Sequence, residues 1–200
     1  NVETIKAFAT SAIREATNGR DFILEVKKQA NIDIEIISGD KEAELIYYGN
    51  KMAVDINESP CLIMDIGGGS NEFIIANKTD IFWKQSFKLG VARLLNMFYP
   101  ENPISEKTKQ DIVEYLKTEL QPLLTEMKKY SIDTLVGSSG AFESVLNMIG
   151  KKEVRATKTG YNINLAAYYI ISKKTIHSTD EARATMQGLI PMRRDMIVLF

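Results

Sequence analysis

Hydrophobic and polar positions along the chain follow two rhythms, and each rhythm predicts its own elements. Residues 4–9 read as a short strand, after which Thr10 and Ser11 offer hydroxyl caps for a helix over 12–16. Beyond Asn18-Gly19, Phe22, Ile23 and Val26 share one face of a second helix, with Lys27 and Lys28 near its end. Residues 32–37 alternate and are rich in isoleucine, so they form a strand. Strand, helix, strand in this order is a parallel βαβ unit with a right-handed crossover. Gly39-Asp40 then caps a helix over 41–54, in which Ala43, Ile46 and Tyr47 recur at helical spacing.

The pattern changes at Pro60. Residues 61–66 are an apolar strand, Gly67-Gly68-Gly69-Ser70 a turn and 72–76 a second strand; Asn77-Lys78-Thr79-Asp80 turns the chain again before a third strand over 81–89. This is an antiparallel meander. Helices are predicted over 91–99 and 105–130. The longer one carries Ile112, Val113, Leu116, Leu120, Leu123 and Leu124 on one stripe, with a kink at Pro122. A short buried strand over 133–137 leads through Ser138-Ser139-Gly140 into a helix over 141–149. A polar connection over 150–160 and helices over 165–172 and 181–189 complete the chain. A composition break near 57–61 divides it into residues 1–58, too small for a whole domain, and residues 59–200. That smallness, with a chain that starts at Asn1, leads to the expectation of an internal fragment.

At 200 residues, 44% hydrophobic and 26% charged, the chain is long and apolar enough to bury a core. The formal charge of −1 argues against a nucleic-acid polymer as partner. It conceals an asymmetry: residues 151–200 hold nine Lys/Arg against four Asp/Glu, and residues 1–150 hold 16 against 22. One cysteine, Cys61, excludes a disulfide framework and a multi-thiolate zinc site, and one histidine, His177, makes Ser-His-Asp chemistry a poor expectation. Cys61 reads as an inert core thiol, His177 as a loop residue before a helix cap, and the eight methionines as core filling. No apolar run reaches the length of a membrane span and no leader pattern opens the chain, so a cytoplasmic protein is expected.

Candidate chemistry collects around glycine. Gly67, Gly68 and Gly69 remove every Cβ from the first meander turn, so backbone N–H groups can close on a phosphate, and Ser70 adds a hydroxyl. Asp65 and Glu72 bring carboxylates to the same loop. Acids beside a phosphate imply an intervening cation, hence Mg²⁺ on Asp65 and Glu72. A plain glycine hairpin with two surface acids explains the run about equally well. Glu42, in the first turn of a helix after a parallel strand, sits where ligands collect in open α/β sheets and where a carboxylate can orient or deprotonate water; dipole compensation by Asp40, Glu42 and Glu44 is the simpler explanation. Arg14 one turn into its helix suits phosphate capture, as does the small-residue turn Gly137-Ser138-Ser139-Gly140 at a helix start. Arg193-Arg194-Asp195 is either an anion contact or a helix-end charge cluster.

The runs ATSAIREATNG, IEIISGDKEAELIYYG, LIMDIGGGSNEFIIA, KLGVARL, LVGSSGA and GLIPMRRDMI occur in an order that resembles the exopolyphosphatase/guanosine pentaphosphate phosphohydrolase family, part of the actin, sugar-kinase and heat-shock ATPase superfamily. The resemblance covers essentially the whole chain. It implies an α/β, ribonuclease-H-like, two-domain actin-like ATPase fold, present as an internal fragment: the C-terminal part of one domain (1–58) and most of a second (59–200). Glu42 would match the family's catalytic carboxylate. Asp65, Gly67, Gly68, Ser70 and Glu72 would form its second phosphate loop and metal environment, Arg14 would hold phosphate, and Gly137, Ser139 and Gly140 would line the opposite side of the cleft. Asn71 stands where the family usually has Thr, and Lys41 where another acid is common. The family's first phosphate loop, an Asp-x-Gly-Ser-Asn-Ser pattern, is absent from these residues, as is a C-terminal helix expected beyond Phe200.

The function so implied is Mg²⁺-assisted release of terminal orthophosphate from inorganic polyphosphate or guanosine pentaphosphate. A non-hydrolytic module sensing the same anions is the alternative from another class, and a kinase-like or chaperone-like ATPase the third. Expected partners are these phosphate compounds, with no nucleic-acid polymer and no membrane, and a homodimer as the candidate assembly.

Overall fold

The computed structural model describes residues 2–150, 154–156 and 160–200. Strands β1 (Ala7–Ala9) and β2 (Ile34–Ile36) pair in parallel, with Phe8 opposite Glu35. Helices α1 (Ser11–Glu15) and α2 (Gly19–Ala30) connect them, and α2 ends at Asn31 in the left-handed region. Both strands are shorter than the alternation predicts, and among the described residues each has a hydrogen-bonded neighbour on one side only. Helix α3 (Gly39–Ala53) starts two residues before its expected first residue: Ser38 is the cap, its hydroxyl accepting from the Lys41 amide.

The meander forms as predicted from β3 (Cys61–Ile66), β4 (Asn71–Ala76) and β5 (Ile81–Phe87). A fourth strand, β6 (Leu135–Ser138), adds in parallel to the free side of β3, giving the order β5-β4-β3-β6. The expectation of a buried strand here needs correction: β6 is an edge strand and Leu135 is exposed. Helices α4 (Val91–Phe98), α5 (Glu106–Glu119) and α6 (Gln121–Met127) follow β5. The single long helix expected over 105–130 is two helices, broken at Leu120, because Pro122 lies within the first two positions of α6 and supplies no N–H to the turn before it.

After α7 (Ser139–Ile149) comes a second correction. Within the expected polar connection and the residues just after it, β7 (Val154–Ala156) and β8 (Tyr161–Ile163) pair as an antiparallel ribbon; residues 151–153 and 157–159 of that connection lie outside the described residues. Helix α8 (Leu165–Ile176) runs on past its expected end, and α9 (Asp180–Ala184) is shorter than expected, the chain turning through Gly188 at φ +84°. His177 does close α8 ahead of the Thr179 cap of α9.

Side chains alternate across the meander, so each face has its own core. On one face, Ala43 and Tyr47 of α3 pack on Cys61, Ile63, Ile74 and Ala76. On the other, Leu62, Phe73, Ile75 and Phe87 meet Leu94 of α4 and Leu123 of α6. Because α3 lies on the four-stranded sheet, the junction near residue 58 is spanned by a shared core. Cys61 is buried, and burial pushes its thiol pKa up. The methionines depart from expectation: Met148 is buried, whereas Met52, Met97 and Met192 lie on outward-facing helix and turn surfaces. No helix among the described residues is long and apolar enough to cross a membrane.

Candidate functional site

On the face covered by α3, the sheet changes character toward the carboxyl end of β3. Ile63 and Ile74 belong to the core; two residues on, Asp65 faces Glu72 across the β3–β4 pair. The same row continues to Ser138 of β6 beside Asp65 and to Ser86 of β5 beside Glu72. Ser86 Oγ donates to Glu72 Oε1 at 2.6 Å. Glu72 is only 1% exposed. Burial raises its pKa, nearby Glu42 and Asp65 raise it further, and the Ser86 and Ser70 hydroxyls pull it partly back. Burial likewise raises Asp65, against the Ser138 and Ser139 hydroxyls. Neither acid forms an ion pair among the described residues, and no third His, Cys, Asp or Glu joins them in a metal-binding cluster there.

The turn beyond this row has an unusual division of hydrogen bonds. The carbonyls of Gly67 and Gly68 accept from the first amides of α4: Val91 N to Gly67 O at 3.0 Å, Ala92 N to Gly68 O at 2.9 Å. Arg93 Nε donates to the Gly69 carbonyl at 3.1 Å, and Ser70 O accepts from the Gly67 amide at 3.0 Å. The amides of Gly68, Gly69 and Ser70 donate to no other group among the described residues. In a planar trans peptide C=O and N–H point in opposite directions, so these amides are turned away from α4. A run of free amides in one concave turn suits an anion. The approach of α4 is possible because residue 90 is glycine: a Cβ there would overlap the backbone of Gly68 and Gly69. Asn71 keeps this contact in register by donating to the Leu89 carbonyl at 3.0 Å, and Ser70 is buried against the turn.

Two further segments close on the turn. Ser11 in the first turn of α1 lies where a Cβ on Gly69 would sit, its Oγ 2.5 Å from that point. One turn along the same helix, Arg14 Nη1 donates to the Ile37 carbonyl at 2.9 Å and to Glu42 Oε2 at 3.1 Å. Both side chains are largely enclosed, at 19% and 17% exposure. Gly39, at the start of α3, lets that helix press on Ser86. Arg14, Glu42, Asp65, Glu72 and the turn Gly67–Ser70 are thus brought to one place.

The last group of expected site residues divides. Ser139 reaches the site's edge, its Oγ donating to the Ile66 carbonyl at 3.0 Å from a residue at φ +72°. Gly137 is glycine for packing, since a Cβ there would overlap the Phe142 ring. Gly140 receives the Arg193 guanidinium, which donates to the Gly140 carbonyl and, at 2.6 Å, to Ser144 Oγ. A 460 Å³ groove runs along the open edge of β6 between Val136, Phe142 and Tyr161; it shares only Gly137 and Ser139 with the expected site. Sequence marks Ser11 only as a cap hydroxyl, and it does not mark Arg93 or Ser86, which read as ordinary helix and strand residues. A glycine at the mouth of a helix, Gly90, is the one signal that marks α4 as a partner of the turn.

The Ppx/GppA phosphatase family model matches residues 1–199. The chain is 31% identical over 200 residues to the bifunctional 3-dehydroquinate synthase/phosphatase of Fusobacterium nucleatum, covering 98% of this chain and 30% of that protein. It is 29% identical over 201 residues to exopolyphosphatase 1 of Mycobacterium tuberculosis, covering 97% and 57%. Against the crystal structure of an exopolyphosphatase from Cytophaga hutchinsonii the TM-score is 0.90 at 37% identity, over 97% of this chain and 64% of that one. The chain therefore spans less than two thirds of each of these relatives.

Proposed function

This chain belongs to the Ppx/GppA phosphatase family, whose fold is of the actin-like ATPase type, and from that premise we propose that it hydrolyses terminal phosphoanhydrides, taking orthophosphate from inorganic polyphosphate or guanosine pentaphosphate. The observation that carries this reading is the turn Gly67–Ser70, with its carbonyls engaged on one side and three amides free of partners among the described residues on the other, beside the Arg14–Glu42 pair.

The terminal phosphoryl group would rest on the amides of Gly68, Gly69 and Ser70, with Arg14 as the nearby cation. Glu42 Oε2 is held by Arg14, which leaves Oε1 to orient a water. The water oxygen attacks phosphorus, its proton passes to the Glu42 carboxylate, and the bridging P–O bond breaks toward the shortened chain. A buried and a half-buried carboxylate side by side, without a cationic partner among the described residues, suit a hard divalent ion, so Asp65 and Glu72 are the residues that would hold Mg²⁺. When bound, such an ion withdraws negative charge from phosphoryl oxygens. A cytoplasmic location, a homodimer and a domain junction at residues 58–59 belong to the same proposal.

The test is orthophosphate release by the natural full-length chain, given polyphosphate, guanosine pentaphosphate and ATP in parallel, with and without Mg²⁺. Release from either of the first two, exceeding that from ATP and abolished by EDTA, is expected. Thermal stabilisation by those anions without release under any metal condition would instead establish a sensing module.

A further inference from the structure

Behind the glycine turn, Arg93 has a place that the backbone cannot fill. The peptides that carry the Gly68 and Gly69 amides are held through their carbonyls by amides of α4. The third peptide, which joins Gly69 to Ser70, is beyond the reach of those amides, and its carbonyl is held by Arg93 Nε at 3.1 Å. Because that peptide is planar and trans, whatever holds the Gly69 carbonyl also sets the direction of the Ser70 N–H. We infer that Arg93 is a positioning residue, which turns the Ser70 amide toward the bound phosphate by gripping the opposite end of its peptide.

The inference rests on the phosphohydrolase reading and deepens it. The donor, rather than the charge, is the agent. Among the described residues the Arg93 side chain makes one hydrogen bond, through Nε, and its charge lies near Glu15. Glu15 is held below the usual carboxylate range chiefly by its hydrogen bond from Lys88, with Arg93 adding to the effect. Glutamine carries its Nε2 the same number of bonds from Cα as arginine carries Nε. Methionine keeps the apolar stem without a donor.

The experiment compares wild type, Arg93→Met and Arg93→Gln in the natural full-length chain by steady-state phosphate release, by calorimetric titration with inorganic phosphate, and by melting temperature. For Arg93→Met, kcat/KM and phosphate affinity should each fall about tenfold or more, the scale of one hydrogen bond to a charged group. Arg93→Gln should restore both to within about threefold, with both variants melting within about 2 °C of each other. A methionine variant equal to wild type overturns the inference, as does a glutamine variant as impaired as methionine. If wild type binds phosphate but releases none, the hydrolase reading fails while the binding titration still decides the role of Arg93. If wild type binds no phosphate, both fail.

Discussion

The two turns of the meander sit at opposite ends of β4 and solve opposite problems. In Asn77–Asp80, all four amides are engaged. Asn77 Oδ1 accepts from the Thr79 and Asp80 amides at 2.9 and 2.7 Å, the Asn77 amide reaches the Asp80 carbonyl, and the Lys78 amide reaches Asn57. One asparagine side chain closes that turn on itself. In Gly67–Ser70 the carbonyls are engaged and three amides have no partner among the described residues. A turn that satisfies its own donors has nothing to offer an anion. A turn whose acceptors are satisfied from behind presents donors in front.

The largest expected effect lies beside the second kind of turn. Glu42→Gln should lower phosphate release by about 10²–10⁴, the usual worth of a general base, while phosphate binding persists; near-normal release would remove Glu42 from the chemistry. Gly90→Ala comes next, because its methyl would meet backbone rather than a yielding side chain. We expect a loss of about 1–3 kcal/mol in stability together with at least a tenfold loss of activity, read by denaturant melts and turnover on one preparation; wild-type turnover would mean the α4 contact is dispensable. Asn77→Ala should cost a similar 1–3 kcal/mol by removing the two part-buried hydrogen bonds that Asn77 Oδ1 accepts from the Thr79 and Asp80 amides, at about 0.5–1.5 kcal/mol each, yet leave turnover intact in the folded fraction. If it damaged turnover as much as Gly90→Ala does, the contrast between the turns would collapse.

A pH series separates the acids beside the glycine turn from ordinary surface carboxylates. Burial raises the pKa of both Asp65 and Glu72. A group so raised stabilises the fold while protonated, fully below its unfolded pKa of about 4, and that stability is lost as pH climbs through the folded value. In EDTA, the Asp65→Asn/Glu72→Gln double variant should therefore match wild type near about pH 4 and melt higher than wild type at about pH 7. A variant melting lower at pH 7 would show that the acids already have a stabilising partner. Smallest is Gly49→Ala in the exposed interior of α3, where a Cβ meets nothing within 4 Å. It should add about 0.5–1 kcal/mol and leave activity untouched, marking the difference between a glycine that is needed and one that is not.

Much of this could be read from the chain. The meander follows from alternating apolar strands separated by turn residues, and its glycine run marks the turn around which the candidate site is built. Local rules reach less far where a partner decides the outcome. Arg14 and Glu42 are 28 residues apart, and nothing between them announces their 3.1 Å contact. Arg93 reads as a polar residue on a short helix until the Gly69 carbonyl is placed beside it. The strand pair β7–β8 carries too few residues for periodicity to register, and the break at Leu120 precedes the proline that causes it because a proline's missing donor is felt one turn earlier.

The row Ser138–Asp65–Glu72–Ser86 has a consequence for how the sheet assembles. Slipping β4 by one residue against β3 would invert its faces and drive Glu72 onto the apolar side that holds Leu62 of β3 and Phe87 of β5. An unpartnered carboxylate in that apolar layer is strongly disfavoured, so the misaligned pairing is selected against. The two acids beside the glycine turn thus also proofread the strand alignment on which that turn depends.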